Sequence, residues 1–154
     1  MEITNILDSR TIQTNMIVST KQEALQQLST LLLHAGYISD IENFMKDVYI
    51  REAQGQTGIG DYLAIPHGRS ASVCKAGVAI GVLDKEIAWE TMDGKGVKAI
   101  ILFCVGIGNT EAKKHLQLLS MVARKVGDEQ VVSKLTQATS SDEVIAALTN
   151  RKEV

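Results

Sequence analysis

Apolar residues recur at helical spacing in two segments in the first third of the chain. The first segment follows Thr20-x-x-Glu23, a capping box in which a hydroxyl and a carboxylate satisfy free amides at the beginning of a helix. Gly36 provides the stop, and the apolar face consists of Ala24, Leu25, Leu28, Leu31, Leu32 and Ala35. A second box, Ser39-x-x-Glu42, predicts a helix that ends near Arg51. Residues 1–18, which come before both boxes, predict short strand and loop.

Four later segments are typical of strands. Val97–Val105 has the strongest pattern, and its apolar residues on both faces favour a central position in a sheet covered by helices. Ala76–Leu83 is rich in small and β-branched residues and predicts a second buried strand. Leu63–Ile65 predicts a short strand inside a glycine-rich segment, and Ile87–Trp89 a short edge strand before a turn.

The last third of the chain predicts three more helices. One is capped by Asn109 or Thr110 and continues to about Val126, and the next covers Val131–Leu135. The last covers Asp142–Leu148, behind the capping box Ser140-x-x-Glu143. All these elements together predict an α/β fold with a single domain over residues 1–154, in which a mixed central β-sheet is covered by helices on both faces.

Composition and charge exclude several classes of protein. The chain has 154 residues, a formal net charge of −2 and a sequence pI near 5.9. It therefore offers no electrostatic reason to expect nucleic acid or an anionic membrane as partner. The longest strongly apolar run, Val97–Val105, is too short to span a bilayer. Cys74 and Cys104 lie in apolar, strand-like stretches without a secretory leader, so we expect reduced core thiols in a cytoplasmic protein.

Three histidines carry the candidate chemistry, and two of them are considered first. His34 lies in the last turn of the first predicted helix, where an imidazole interacts with the negative end of the helix. His67 lies between Pro66, which fixes its own backbone angle, and Gly68, which is expected to leave one side of the ring uncrowded. The local sequence at His67 fits both an imidazole presented to an incoming reagent and a structural loop histidine.

His115 and Arg51 are candidates for binding an anion. His115 lies near the start of the helix that follows the strongest strand, where free amides and a partial positive charge favour an anion such as phosphate. An ordinary histidine on a helix face fits this position as well. Arg51 is either a solvated surface charge or a guanidinium turned toward an anion. Spacing alone does not decide between these interpretations.

Three other kinds of site find no support in the sequence. Histidine or cysteine pairs at metal-binding spacing are missing, and so is the Gly-x-Ser-x-Gly motif of serine hydrolases. Gly106-Ile-Gly108 follows a strand and opens a helix as a dinucleotide fingerprint does, but Glu111 stands at the third glycine position. A Gly-Lys-Ser/Thr phosphate loop is also missing. We therefore predict no metal and no cofactor.

The segment from Arg51 to Gly68, which begins with Arg-Glu and ends with Ile-Pro-His-Gly, closely resembles the active-site segment of a known family. This is the fructose/mannitol-type EIIA domain of the bacterial phosphoenolpyruvate-dependent sugar phosphotransferase system. The resemblance continues through Ile87-Ala-Trp89, Gly96-Val97 and His115-Leu116-x-x-Leu119-Ser120, and it covers nearly the whole chain. The combination is far more specific than Pro-His-Gly alone. The fold of that family, a mixed sheet with helices on both faces, agrees with the fold predicted from the pattern.

The resemblance implies the residues of the site. His67 matches the phosphorylated histidine, with Nε2 as the attacking atom, His115 matches the second active-site histidine, and Arg51 matches the arginine near the phosphoryl group. Asp61 stands where mannitol-type members carry a glutamate, which implies a supporting role. An unprotonated imidazole is a nucleophile at neutral pH, and we expect an acceptor such as a backbone carbonyl to hold its second N–H. Loop amides around Gly58–Gly60 are expected to help bind the phosphoryl group.

The resemblance also implies partners for a phosphotransferase component. The phosphoryl donor is the histidine-phosphorylated carrier HPr, and the acceptor is a cysteine of a fructose-like EIIB, through which the membrane permease EIIC is reached indirectly. The chain ends at Val154, so we expect a free-standing subunit that does not insert into the membrane. Both protein partners are expected to dock on a shallow, partly apolar face. The candidates for this face, each of which fits the core equally well, are Ile59, Tyr62, Leu63 and Ile107. Fructose is the default sugar, and mannitol or a related hexose is an alternative.

Two other functions stay open. Nitrogen-type EIIA proteins and modules of transcription antiterminators share this domain, and in them the phosphorylation state acts through partner binding. A nucleotide-binding or hydrolytic enzyme on a similar α/β domain belongs to a different class, which turnover of a nucleotide or an ester by the purified chain would reveal.

Overall fold

All strands belong to one mixed sheet in the computed structural model, which describes residues 3–149. The strands assigned there are β1 Ile12–Met16, β2 Gly58–Gly60, β3 Leu63–Ala64, β4 His67–Arg69, β5 Gly77–Ile87 and β6 Val97–Val105. β6 is antiparallel to β5 along one edge, and β3 and β4 pair with its other edge in parallel. β1 extends the sheet beyond β5, and β2 extends it beyond β3. The predicted central position of the strongest strand is therefore confirmed.

The helices begin and end close to their predicted bounds. They are α1 Lys21–His34, α2 Ile41–Gln54, α3 Asn109–Val126, α4 Glu129–Thr136 and α5 Ser141–Thr149, with 3₁₀ turns at Ile3–Asn5 and Ser9–Thr11. Thr20 caps α1 and Ser140 caps α5, as predicted. Two caps differ from the prediction. Asp40 caps α2 instead of Ser39, and α3 follows Gly108 without a side-chain cap.

Apolar side chains form two layers, one on each face of the sheet. α1 and α2 cover one layer, and α3, α4 and α5 cover the other. Alternate residues of β6 enter the two layers: Leu102 and Cys104 face α1 and α2, whereas Ile101 and Phe103 face the other three helices. The predicted α/β class with helices on both faces is confirmed. None of the helices within residues 3–149 is long and apolar enough to cross a bilayer.

The strands around Pro66 and Ile87 differ from the prediction. β5 continues to Ile87, whereas Ala88 and Trp89 lie outside every strand, so the separate strand predicted over Ile87–Trp89 is wrong. The short strand β3 stops at Ala64, and His67 opens a new strand instead of following an old one. Proline has no N–H to donate to a strand ladder, which explains the interruption at Pro66. Its carbonyl still accepts from the backbone N–H of Phe103 at 2.9 Å.

The two cysteines lie in different environments. Cys104 is fully buried in β6, and the prediction of a core thiol is right for it. Cys74 is exposed in the loop between β4 and β5, so the same prediction is wrong there. The backbone N–H of Cys74 donates to the carbonyl of Tyr37 at 2.8 Å, which ties this loop to the end of α1 and leaves the thiol outside the core. Both thiols are free.

Candidate functional site

His67 is the first residue of β4, and the strand register determines its direction. β4 pairs in parallel with β6, with His67 opposite Phe103 and Arg69 opposite Val105. Because side chains alternate along a strand, His67 and Arg69 lie on the face covered by α3, and Gly68 faces α2. The His67 ring packs edge to face on Phe103, and the two ring centroids are 5.1 Å apart. The central strand therefore supports the imidazole directly.

Gly68 allows β4 to lie against α2. A Cβ atom at this position would be 2.3 Å from Phe44 Cε1 and 2.9 Å from Val48 Cγ2, closer than real side chains approach. The glycine is thus needed for packing between the strand and α2. Its predicted role of leaving the His67 ring uncrowded is wrong, because a side chain at this position would point to the opposite face of the sheet, toward α2.

α3 brings the second histidine to the first. The His115 ring is nearly perpendicular to the His67 ring, with an interplanar angle of 88° and centroids 5.0 Å apart. The centroid of the Phe103 ring is 6.5 Å from that of His115, so one aromatic side chain lies beside both imidazoles. α3 begins at Asn109, at its predicted start, and the free amides of its first turn end about 4.5 Å along the helix axis before His115. His115 therefore lies near the beginning of the helix as the sequence predicts, and an anion bound at these amides stays a prediction.

The Nε2 atoms of both histidines are buried and have no hydrogen-bond partner within residues 3–149. Most buried polar atoms in proteins are paired, so two bare imidazole nitrogens side by side point to a place where another group binds. In the same part of the chain no acceptor holds the second ring nitrogen of His67, so the expected backbone carbonyl is missing.

Both imidazoles have a lowered pKa. Burial lowers the pKa of His67 to about 4, with smaller contributions from the charges of His115 and Arg51. Burial also lowers the pKa of His115, followed by the charges of Arg69 and Arg51. Both rings are therefore neutral at pH 7, and a neutral imidazole has the lone pair that a nucleophile needs.

Two arginines from different elements act on these rings. Arg51 lies in the last turn of α2, which continues to Gln54 beyond its predicted end, and its Nη1 donates to the carbonyl of Gly55 at 3.0 Å. Its charge contributes to the lowered pKa of both histidines. The charge of Arg69 contributes to the lowered pKa of His115, and the sequence pattern did not single out this residue. The available signal was its position two residues after a histidine in a strand, where side chains share a face.

Glu52 anchors the loop between α2 and β2. Its side chain is 6% exposed, and its carboxylate accepts hydrogen bonds from Lys21 Nζ at 2.8 Å and from the Thr57 hydroxyl. The carbonyl of Thr57 accepts in turn from the N–H of Ile65 at 2.9 Å, two residues before His67. These contacts join α1, α2 and the backbone that leads into β4, so they hold the approach to His67 in place.

Asp61 lies on the turn between β2 and β3. It is exposed, its φ is 54°, and its N–H donates to Asp93 Oδ2 at 3.1 Å. Its carboxylate is not among the charges that shift the pKa of either histidine, so its supporting role stays a prediction. Gly58–Gly60 forms β2, antiparallel to β3, and its amides belong to a strand instead of the free loop that we expected.

The apolar residues predicted to form the docking face differ in exposure. Ile107 is 60% exposed in the loop before α3, and Ile59 and Tyr62 are 36% and 38% exposed on β2 and the turn after it. Leu63 is fully buried in the layer under α3, α4 and α5, so of its two interpretations, docking surface and core, the core position is right. Leu116, directly after His115, is 67% exposed and is a further apolar surface residue that was not among those predicted for docking.

The sequence matches one family over most of its length. The model of the family described as phosphoenolpyruvate-dependent sugar phosphotransferase system, EIIA 2, matches residues 5–151. The chain is 33% identical over 146 residues to the mannitol-specific phosphotransferase enzyme IIA component of Halalkalibacterium halodurans, covering 93% of this chain and 94% of that protein. It is 30% identical over 151 residues to the 2-O-alpha-mannosyl-D-glycerate-specific EIIABC component of Escherichia coli. That match covers 98% of this chain but only 23% of the relative, which is much longer.

Solved structures share the fold. The crystal structure of the nitrogen regulatory protein IIA-Ntr from Neisseria meningitidis is 30% identical, with a TM-score of 0.84 over 94% of this chain and 97% of that one. The enzyme IIAMTL chain in its complex with phosphorylated enzyme IIBMTL from Escherichia coli has a TM-score of 0.77, covering 94% of this chain and 98% of that one. At 24% identity, the second likeness shows the fold alone.

Proposed function

We propose a function for this chain from the premise that it belongs to the EIIA 2 family of the phosphoenolpyruvate-dependent sugar phosphotransferase system. The family resemblance noted in the sequence is confirmed by this match. EIIA components are phosphotransfer proteins. In this chain, His67 accepts a phosphoryl group from phosphorylated HPr in the cytoplasm and passes it to a cysteine of a fructose-like EIIB.

One observation supports His67 as the acceptor above all others. Its Nε2 is bare and buried, and its pKa of about 4 keeps the ring neutral over the physiological range. A second bare Nε2, that of His115, lies on the adjoining ring, and the charge of Arg51 reaches both. A nucleophile, a hydrogen-bond donor and a cation together are what transfer of a phosphoryl group requires.

The transfer is a displacement at phosphorus. The lone pair of His67 Nε2 forms a bond to phosphorus, the phosphorus–nitrogen bond of the donor histidine breaks, and its electron pair returns to the donor imidazole. The proton on the second nitrogen of each ring stays in place, so the donor leaves neutral and His67 becomes a phosphorylated imidazolium. His115, protonated at Nε2, donates to one phosphoryl oxygen, and Arg51 stabilises the negative charge. Because both Nε2 atoms are buried, a neighbouring side chain has to move aside as the group enters.

Onward transfer restores the starting state. A cysteine thiolate of EIIB forms a bond to phosphorus, the bond to His67 Nε2 breaks, and the imidazolium becomes a neutral imidazole again. The family match supports EIIB as the acceptor. Ile107, in the loop before α3, and Leu116, about two turns into that helix, are exposed and offer apolar surface for docking.

A reconstituted relay tests the proposal. The purified chain is mixed with phosphoenolpyruvate, enzyme I and HPr, and its intact mass is measured. We expect a gain of about 80 Da, the mass of one phosphoryl group, that is lost in acid. His67→Ala should abolish the gain, and His34→Ala, at the exposed end of α1, should retain it. Absence of phosphorylation by a competent HPr overturns the proposal.

A regulatory role is the second candidate, because one of the similar solved structures is a nitrogen regulatory protein. Such a chain would accept the phosphoryl group on His67 but fail to pass it to a sugar-specific EIIB. Addition of purified EIIB proteins of fructose and mannitol type to the phosphorylated chain distinguishes the two roles. Loss of the label from His67 with gain on an EIIB supports transport, and full retention against every EIIB supports regulation.

A further inference from the structure

Arg69 lies on the same face of β4 as His67 and extends toward α3. The two residues are separated by one position in the strand, which places their Cβ atoms about 7 Å apart. Arg69 Nη2 is 3.5 Å from the carbonyl oxygen of Gly108, directly before α3. After burial, its charge is the largest cause of the lowered pKa of His115, which agrees with this placement.

The two arginines of the site reach it from different sides. Arg51 comes from the end of α2, and its charge acts on both imidazoles, whereas the charge of Arg69 acts on His115. The contact between Arg69 and Gly108 is at the upper limit of hydrogen-bond length, and the residue is exposed. A guanidinium carries five N–H donors, so most of those on Arg69 stay available for another ligand.

A phosphoryl group on His67 has three oxygens that carry negative charge. The N–H of His115 and the guanidinium of Arg51 serve two of them under the proposed function. We propose that Arg69 is a second guanidinium ligand of the phosphoryl group and binds the oxygen on the side of His115 while the group is transferred. This inference rests on the proposed function. It gives a catalytic role to a residue that matched no position of the recognised motif.

Single-turnover kinetics test the role of Arg69. Phosphorylated HPr at saturating concentration is mixed with the chain, and the rate constant of phosphorylation is measured by rapid quench. Arg69→Gln should reduce this constant by about tenfold to hundredfold, because one charged contact to the transferring group is lost. Arg69→Lys should restore part of the rate, since it returns the charge without the planar fork. Arg124→Gln removes the same charge from an exposed position in the last turn of α3 and should match the wild type.

Nuclear magnetic resonance distinguishes contact of Arg69 with the phosphoryl group from a role of Arg69 in docking HPr. Phosphorylation of His67 should shift the Nε–H resonance of Arg69, and Arg69→Gln should raise the pKa of His115 because a positive neighbour is removed. An unshifted resonance overturns the inference, as does a variant in which only the concentration of HPr needed for half-saturation rises. If the wild type itself is not phosphorylated, the proposed function fails. If the wild type reacts and Arg69→Gln reacts equally fast, only the role of Arg69 is refuted.

Discussion

Acid should destabilise the folded chain through His67. In the folded protein the pKa of this imidazole is about 4, below its ordinary value of 6.5, chiefly because the ring is buried. The unfolded chain exposes the ring and restores the ordinary value. Between these two values the unfolded chain binds a proton that the folded chain does not, so lowering the pH favours unfolding. The contribution of His67 is therefore absent above pH 6.5 and becomes increasingly unfavourable as the pH falls toward 4.

The size of this effect follows from the shift in pKa. A change from 6.5 to about 4 corresponds to a loss of roughly 3 kcal/mol in the free energy of unfolding when the pH reaches the lower value. The same relation gives a loss of about 2 kcal/mol near pH 5 and almost none at about pH 7.5. The residue is only 9% exposed, so solvent screening does little to reduce these values. The total free energy of unfolding of a small domain is about 5–15 kcal/mol, so a loss of this size is easy to measure.

Urea unfolding at several pH values measures the contribution of His67 to the free energy of unfolding. The chain contains one tryptophan, Trp89, which is 7% exposed in the folded state and reports unfolding by fluorescence. Between about pH 7.5 and pH 5, His67→Gln should lose about 2 kcal/mol less stability than the wild type, because glutamine does not titrate. His34→Gln, at the exposed end of α1, removes an imidazole elsewhere and should retain the full loss due to His67.

A constant difference in stability between the wild type and His67→Gln across this range would contradict the lowered pKa of His67. It would mean that the imidazole binds protons equally well in the folded and unfolded chains. A proton resonance of His67 that titrates near pH 6.5 in the folded protein would refute it directly. In either case burial of the ring would no longer account for a neutral imidazole at mildly acidic pH.

Three further predictions concern the packing, the anchoring and the surface of the site. Gly68→Ala should lower the free energy of unfolding by about 1–3 kcal/mol, because its Cβ meets Phe44 at 2.3 Å. Gly55→Ala, with no atom within 4 Å, is the control, and equal urea midpoints would contradict the packing role. Glu52→Gln should lower the free energy of unfolding by about 1–3 kcal/mol and slow phosphorylation, because the ion pair of the buried Glu52 carboxylate with Lys21 is lost. Calorimetry measures the first effect, and the relay assay measures the second. Leu116→Glu should leave the melting temperature unchanged but weaken HPr binding measured by titration calorimetry, and unchanged affinity would exclude this residue from the interface.

Elements whose signals are local could be predicted from the sequence. The Thr20 cap depends on one hydroxyl and the next turn of backbone, and the structure shows the expected bond from the N–H of Glu23 at 3.1 Å. β6 has the bounds that its apolar run predicts, Val97–Val105. Where two neighbouring residues have the same capping chemistry, as Ser39 and Asp40 do, the sequence cannot choose between them, and the structure selects Asp40.

The parts that depend on tertiary pairing could not be predicted in the same way. Leu63 is apolar in a glycine-rich segment and fits a docking surface or a core strand equally well, until its pairing opposite Ala99 of β6 buries it. Arg69 shares a face with His67 only if both belong to one strand, and the sequence placed His67 at the end of a strand. The meeting of His67 and His115 depends on how α3 packs beside β4, so the family resemblance suggested it and residue spacing did not.

The buried environment of His67 has two opposite consequences. A hydrogen-bond donor next to Nε2 would offset the cost of burying a polar atom, but it would also occupy the lone pair that attacks phosphorus under the proposed function. A bare nitrogen is therefore what the proposed transfer requires, and burial of the same ring, which lowers its pKa, leads to the predicted loss of stability in acid. The surrounding fold compensates by fixing the backbone on both sides: β4 is held by β6 on one edge, and Gly68 allows it to pack closely on α2. A strand of only three residues, His67–Arg69, can then present an unsatisfied ring without unravelling, because its neighbours supply the stability that the ring does not.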